Sequence, residues 1–369
     1  SGDHDAHIFN RAISGLYKLD GKNALSDLLT AAQRDDAEIL ACALRLTAEE
    51  GSDVSAAWSD FAQDAAPEKR ALIAAAFSDR KDEAAMAFVK ASLNDLNQNV
   101  RCAAIPAFSK QNGADAFEEL FAILKSARER EVAAAMQAFL SFASDSKLFD
   151  RLQDKLSELP PVSQAAVIES FAARKDFTKK DTIFKLAEGE SAPVRLAALN
   201  ALIGMVNAND LDRLIALFRS AQDESELAPL QDAIVRAANE IDPAPATSLV
   251  AEFNKANGKR KSSLIWILAR LNSADALAVV INQASGKSPM RNEALQAFAS
   301  GPSVTAIPQL IELIRAADDK NVKKMAMQKV IRLTRDGHGI SLSDRVDYSK
   351  AMMEIAESKH DKYKVLGIA

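Results

Sequence analysis

The sequence predicts an all-α fold, a right-handed α-solenoid of about eleven helical hairpins, and three observations carry that prediction. The first is composition: 48% of the 369 residues are hydrophobic, only 6% are aromatic, and there are 13 glycines. Alanine- and leucine-rich, glycine-poor chains build tightly packed helices, and no run of alternating β-branched residues marks a strand. The second is a period. Taking Phe108 as the reference, the equivalent position recurs as Leu16, Leu46, Phe77, Phe139, Phe171, Leu202, Ala238, Leu268, Phe298 and Val330. Neighbouring members are 30 to 32 residues apart, except for 36 between Leu202 and Ala238. The third is a stripe. The positions three residues earlier (Ile13 through Met327) and four residues earlier (Ala12 through Ala326) are also apolar, so 3 × 11 = 33 positions lie on one helical face. One hairpin cannot bury such stripes by itself, whereas stacked copies can.

The stretch Asn97–Leu124 shows the unit. A polar opening leads into a first helix carrying Ala104, Ile105 and Phe108. A turn at Gly113 follows, then a second helix carrying Phe117, Leu120, Phe121 and Leu124. The other second helices carry Leu28–Leu29, Trp58 with Phe61, Phe88–Val89, Leu152 with Leu156, Ile183–Phe184 and Leu214 with Leu217. Leu249 with Phe253, Leu277 with Val280, Leu310 with Leu313 and Met352 with Ile355 complete the series. Pro67, Pro161, Pro193, Pro229 and Pro289 stand at the starts of first helices, where a missing N–H costs nothing. Asn97, Ser191, Ser288 and Asp319 suit N-caps, and Gly21, Gly51 and Gly113 suit C-caps. Pro106, inside a first helix, predicts a kink. The 36-residue step places its extra residues in a loop at 221–226, and residues 335–343 form the longest polar connection.

Charge is uneven. Residues 1–100 hold 17 acidic and 10 basic side chains (17 − 10, a balance of −7), and residues 320–369 hold 11 basic and 6 acidic (11 − 6, +5). Cys42 and Cys102 lie two repeats apart, on the order of 20 Å at about 8–10 Å per packed helix, which is too far for a disulfide. Buried free thiols are expected. No apolar run approaches the ~18 residues of a membrane span, so no membrane partner is expected. The compartment stays open, with secretion or a periplasmic location the working expectation. The basic ending from Lys362 to Ala369 reads as the opening of another first helix, so the expectation is one repeat array over 1–369 that continues beyond it.

Chemistry is sparse. His4, His7, His338 and His360 lie near the two ends, and no glycine-rich phosphate loop or nucleophile elbow is present. Acidic neighbours such as Asp35-Asp36, Glu49-Glu50 and Glu118-Glu119 diverge by about 100° on a helix and cannot clamp one substrate. Met325, Met327, Met352 and Met353 read as core filler, and Lys255, Lys259, Arg260 and Lys261 as a solvated turn. No catalytic residue, metal or cofactor is expected.

Val100-Arg101-x-Ala103-Ala104, Val194-Arg195-x-Ala197-Ala198, Met290-Arg291-x-x-Ala294 and Val322-Lys323 each open a helix after a short polar loop. In this the chain resembles the HEAT-like repeat family along essentially its whole length, although the units at Leu46, Ala238 and Leu268 lack the pair. The resemblance implies that Arg101, Arg195 and Arg291 bind neighbouring loops together. DNA glycosylases and phycobiliprotein lyases share this architecture, but a net-acidic chain with two tryptophans lacks the basic, aromatic face of the first, and nothing supplies the attachment chemistry of the second.

The reading is therefore a non-catalytic, monomeric scaffold whose partner is another protein or other domains of the same polypeptide. The alternatives are the helical part of a secreted bacterial enzyme and a nucleic-acid-binding solenoid. First helices are expected to line the inner, concave side. The residue two before the reference lies about 200° round the helix and faces away from the core. That row runs Ser14, Leu44, Ala75, Pro106, Gln137, Glu169, Asn200, Arg236, Trp266, Gln296 and Gln328, and from Gln137 to Gln296 it forms the candidate binding row. Trp266 covering a gap between helices is the competing reading.

Overall fold

The structure is a computed structural model that describes residues 2–142, 145–241, 244–285, 287–356 and 359–366. The side chains of His4, His7 and His360, and the residues from Gly367 onward, lie outside the description. Every regular element among the described residues is helical, and the chain divides at Arg174 into two compact units.

Unit 1 contains α1 (Gly2–Asp20), α2 (Leu25–Ala32), α3 (Ala37–Leu46), α4 (Ser52–Gln63), α5 (Pro67–Ala76) and α6 (Glu83–Ser92). It continues with α7 (Gln98–Asn112), α8 (Phe117–Lys125), α9 (Glu129–Ser141), α10 (Ser146–Asp154) and α11 (Pro161–Ala173). Unit 2 contains α12 (Lys180–Ala187), α13 (Ala192–Ile203), α14 (Leu211–Ser220), α15 (Leu227–Ala238), α16 (Thr247–Lys255) and α17 (Gly258–Ala269). It ends with α18 (Ala274–Ser285), α19 (Arg291–Ser300), α20 (Ile307–Ala316), α21 (Lys320–Asp336), α22 (Leu342–Ile355) and α23 (Lys359–Leu366). Odd numbers from α1 to α21 are the predicted first helices, and even numbers from α2 to α22 the second. Within each unit successive first helices up to α19 pack on one another, as α5 does on α7 and α15 on α17, whereas α21 packs on α20 and α18.

The stripe is the core. Phe77, Phe139, Phe171, Leu202, Ala238, Leu268 and Val330 are completely buried, and Phe108 and Phe298 nearly so. The row four residues earlier is buried from Cys42 to Ala326. Ala12 is exposed and Leu16 and Leu46 are half-buried, against expectation. For α1 the reason is visible: it packs along α3, with no first helix on its other side among the described residues. Leu295, in the row three before the reference, is also half-buried. Second helices add Leu28, Trp58, Val89, Leu152, Phe184 and Leu310 to the same interior. Met327 and Met352 are buried, but Met325 and Met353 only half so.

Caps explain the boundaries. Asp36 accepts from the N–H groups of Glu38 and Ile39, Asp82 from Ala85, Asn97 from Asn99, and Asp319 from Asn321 and Val322. Each satisfies donors that a helix start leaves unpaired. Asp36 is thus a cap rather than a merely solvated acid. Ser191 occupies its cap position without a side-chain bond, and the Ser288 hydroxyl accepts from Met290 N–H. Gly113 closes α7 at φ +59°, whereas Gly51, at φ −80°, is the N-cap of α4 and not a C-cap. Helix α7 runs through Pro106, which is exposed. The longer step is taken up at 221–226, where a 3-10 turn (Glu224–Glu226) precedes α15. The connection after α21 is braced by Arg345, which donates to the carbonyls of Thr334, Arg335 and Gly337 at 2.5, 3.1 and 2.9 Å.

One buried cation ties the early hairpins of unit 1 together. Arg80 donates to the carbonyls of Thr47 and Glu50 and to Ser55 Oγ, and Ser55 Oγ donates to Asp82 Oδ2 at 2.9 Å. Burial pushes the guanidinium pKa down from its ordinary value. Tyr17 donates to Glu50 from α1, and burial followed by this bond raises its pKa to about 12.

Phe139→Ala or Phe171→Ala should each cost roughly 3–5 kcal/mol, because the stacked neighbours cannot collapse into the space. Chemical denaturation of single variants checks this, with a loss below about 1 kcal/mol contradicting the packing described.

Candidate recognition surface

The arginines of the helix-opening motif come first, because they decide which polar groups are committed to the scaffold. Arg101 in α7 donates through Nε and Nη2 to Glu131 Oε1 of α9, at 3.0 and 2.7 Å, and through Nη1 to the carbonyls of Asp95 and Leu96. Arg195 in α13 repeats the arrangement in unit 2. It donates to Glu226 Oε1 at 2.8 Å and to the carbonyls of Gly189 and Glu190. Each guanidinium therefore closes the loop before its own helix and grips the opening of the next first helix. Arg70 in α5 is a third member that the motif does not reveal. It chelates Asp95 with two 2.9 Å bonds and reaches back to the Ala65 carbonyl. Its only sequence signal is its place near the start of a first helix, at Pro67-Glu68-Lys69-Arg70. Arg291 does not join the series: it is exposed at the start of α19, with no ion pair among the described residues.

The candidate row is free of such duties. In unit 1, Gln137 on α9 and Glu169 on α11 are exposed on helices that pack together. In unit 2, Asn200 on α13, Arg236 on α15 and Gln296 on α19 are exposed, as is Gln328 on α21. Trp266 on α17 is half-buried. Since α15 packs on α17 and α17 on α19, Arg236, Trp266 and Gln296 follow one another across the face at about 8–10 Å intervals.

The two tryptophans differ in kind. Trp58 is fully buried, its indole N–H donating to Thr47 Oγ1 at 3.0 Å and its ring meeting Phe61 edge-on. Trp266 is partly in solvent, and among the described residues it has neither a ring partner nor an acceptor for its N–H. Polar pairs frame it one turn away on either side. Arg270 Nη1 meets Asp232 Oδ1 at 2.6 Å, and Ser262 Oγ donates to Glu293 Oε2 at 2.8 Å. Asp232, Ser262, Glu293 and Arg270 lie outside the single row read from the sequence. Positions four residues from Trp266 and Arg236 would have supplied three of them. The basic run has a different role: Arg260 donates to the Ala221 carbonyl, and Lys261 lies 4.8 Å from the Phe253 ring centre.

No three His, Cys, Asp or Glu side chains converge in a metal-binding group among the described residues, and no described helix is long and apolar enough to cross a membrane. Cys42 and Cys102 are free thiols; Cys42 is buried, but Cys102 is only half-buried, one turn before the exposed Pro106 on α7. His338 is exposed in the loop after α21.

Two measurements test the ladder. Arg195 and Glu226 are both buried, so Glu226→Gln, which strands a guanidinium, should cost roughly 3–5 kcal/mol. A loss similar to that of an exposed Glu→Gln change would show the pair to be incidental. Asp95 carries the pH test. Its bond to Arg70 holds its pKa below the ordinary aspartate value, so its contribution is present above about pH 4 and is lost as pH falls through the folded-state value. The stability gap between the native chain and Asp95→Asn should therefore be full at neutral pH and close on acidification. A gap that is constant with pH contradicts this.

No family model matches the sequence, and no curated protein sequence matches it significantly. Solved structures do. The chain is similar to the karyopherin Kap121p bound to the extreme C-terminus of the protein phosphatase Cdc14p, with 11% identity and a TM-score of 0.56 over 93% of this chain and 47% of that one. It is also similar to Kap121p bound to RanGTP, with 12% identity and a TM-score of 0.53 over 99% of this chain and 46% of that one. A third match is Kap121p bound to Nup53p, with 11% identity and a TM-score of 0.50 over 98% and 55%. The chain thus spans about half the length of these three karyopherin chains, and identities this low establish a shared fold and nothing more. That fold is the all-α architecture of HEAT-repeat proteins.

Proposed function

We propose that the chain is a non-catalytic interaction scaffold that binds another protein, or another domain of its own polypeptide, through the outward row of its first helices. Trp266 carries this reading. A core tryptophan pairs its N–H and disappears from solvent, as Trp58 does; Trp266 does neither, and it stands between Arg236 and Gln296 within a polar frame. Tryptophan and arginine are the side chains most enriched at binding hot spots. Asn200, Gln296 and, in unit 1, Gln137 and Glu169 supply hydrogen-bonding groups on the equivalent turns. Within each unit, a row of this kind along packed first helices would form a groove. The closer packing of first helices than of second helices within each unit supports that placement. The matched karyopherin structures each hold a protein ligand, a use of the fold compatible with this one.

The test separates recognition from packing. Trp266→Ala and Arg236→Ala should each weaken capture of a partner by about 30-fold or more, a hot-spot loss of roughly 2 kcal/mol. The melting temperature should move by only a few degrees. Unchanged capture, or a large loss of stability from Trp266→Ala, makes Trp266 a packing residue and removes the reading.

A further inference from the structure

A second surface lies on unit 1, among second helices. A groove of about 860 Å³ runs between α4 and α6, walled by Ala56 and Asp60 on one side and Ala84, Ala87 and Phe88 on the other. Phe88 is half-buried at its wall. At one end stands Leu96, whose side chain is fully exposed. An exposed leucine in a mobile loop would mean little, but this one sits on a fixed backbone. Arg101 donates to the carbonyls of Asp95 and Leu96 at 2.6 and 3.0 Å, Arg70 chelates the Asp95 carboxylate, and the Asn97 N–H donates to Asp95 Oδ1 at 2.7 Å. The arginine ladder thus holds an apolar side chain out in water at the rim of an apolar groove. An anchor ordered in advance loses little entropy on binding.

Charge identifies what fits. Helix α4 carries Asp53 and Asp60 and no basic residue, and Asp64 is its C-cap. Asp53 lies 3.7 Å from Lys22, but Asp60, which accepts from Gln63 Nε2 at 3.2 Å, and Asp64 have no ion pair among the described residues. The groove's cation, Arg70, is committed to Asp95. Alanines and Phe88 form the apolar part of the walls, Ser59, Gln63, Ser92 and Asn94 interrupt it, and Asp60 is the lining carboxylate that no cation holds among the described residues.

Building on the interaction-scaffold reading, we infer that the groove between α4 and α6 docks a basic amphipathic helix of a partner protein. The helix's apolar face lies on Ala84, Ala87 and Phe88, Leu96 packs against its end, and its lysines or arginines face Asp60 on the acidic helix α4. This is helix-in-groove recognition, with long-range attraction supplied by a terminal region whose balance is −7 (10 basic, 17 acidic, over residues 1–100).

The experiment uses the full chain and a fluorescent 18-residue leucine–lysine peptide whose leucines repeat at helical spacing, beside a leucine–glutamate counterpart. Affinity is read by anisotropy and location by alanine methyl shifts. The lysine peptide should bind at least tenfold more tightly than the glutamate one, with shifts concentrated at Ala56, Ala84 and Ala87. Ala87→Trp, which fills the groove, and Leu96→Asp should each weaken it at least tenfold. Asp60→Lys should move the preference toward the glutamate peptide. Equal binding of both peptides, shifts elsewhere, or undiminished binding by Ala87→Trp and Leu96→Asp overturns the inference. So does a self-associated chain that Leu96→Asp converts to monomer, which would assign the groove to a second copy. Trp266→Ala should leave peptide binding unchanged. If the groove variants fail while Trp266→Ala still abolishes partner capture, this inference falls and the scaffold reading stands.

Discussion

The burial of three apolar positions on each first helix is the constraint on which the rest depends. A hairpin of two ten-residue helices is below the length at which isolated helices hold in water, and it exposes a stripe on each member. Only contact with the next copy removes those stripes from solvent. Phe139 and Phe171 disappear entirely because each has a packed neighbour, while Leu16 and Ala12 on α1 do not. Stability in such a stack is a sum of local units and of the interfaces between them, so no single residue holds the fold.

Apolar contact leaves the register of neighbouring hairpins loosely specified, since alanine, leucine and phenylalanine all occupy the reference position. Polar geometry is stricter. Arg101 and Arg195 each bond carbonyls five and six residues back and a carboxylate about one repeat ahead. Arg70 meets the same demand with a nearer acid. The guanidinium can do this because its donors diverge in a plane, so one side chain closes its own loop and the next one together.

Much of the fold was legible because its period is long and its stripe is strict. All the first and second helices stand where the apolar rows put them, including both sides of the 36-residue step. What remained hidden depends on three-dimensional proximity. Arg291 carries the same local motif as Arg101, yet only Arg101 faces an acid at the start of the next first helix. Gly51 looks like a C-cap until its backbone places it at a helix start. Helical angle alone predicted the exposure of Gln137, Glu169, Asn200, Arg236 and Gln296, but it failed earlier in the same row, where Leu44 on α3 is buried and Ser14 on α1 half-buried. The state of Trp266 was not predictable, because half-burial of a large ring depends on neighbours that a single row does not include. Leu96 gives no local signal either: its exposure follows from two arginines that lie before and after it in the chain.

The turn at 221–226 has a consequence for how such a chain can grow. Its extra residues do not push the following helix out of step. They wind into a short 3-10 segment that delivers Glu226 to Arg195, and Glu226 also accepts from the Gln222 N–H at 2.9 Å. The joint between hairpins therefore works as an expansion gap. Insertions can accumulate there and be folded back on themselves, provided the last inserted residue still presents a carboxylate to the arginine. Loop length and array register are thereby uncoupled, so an array of this kind can acquire new surface at its joints without rebuilding its core.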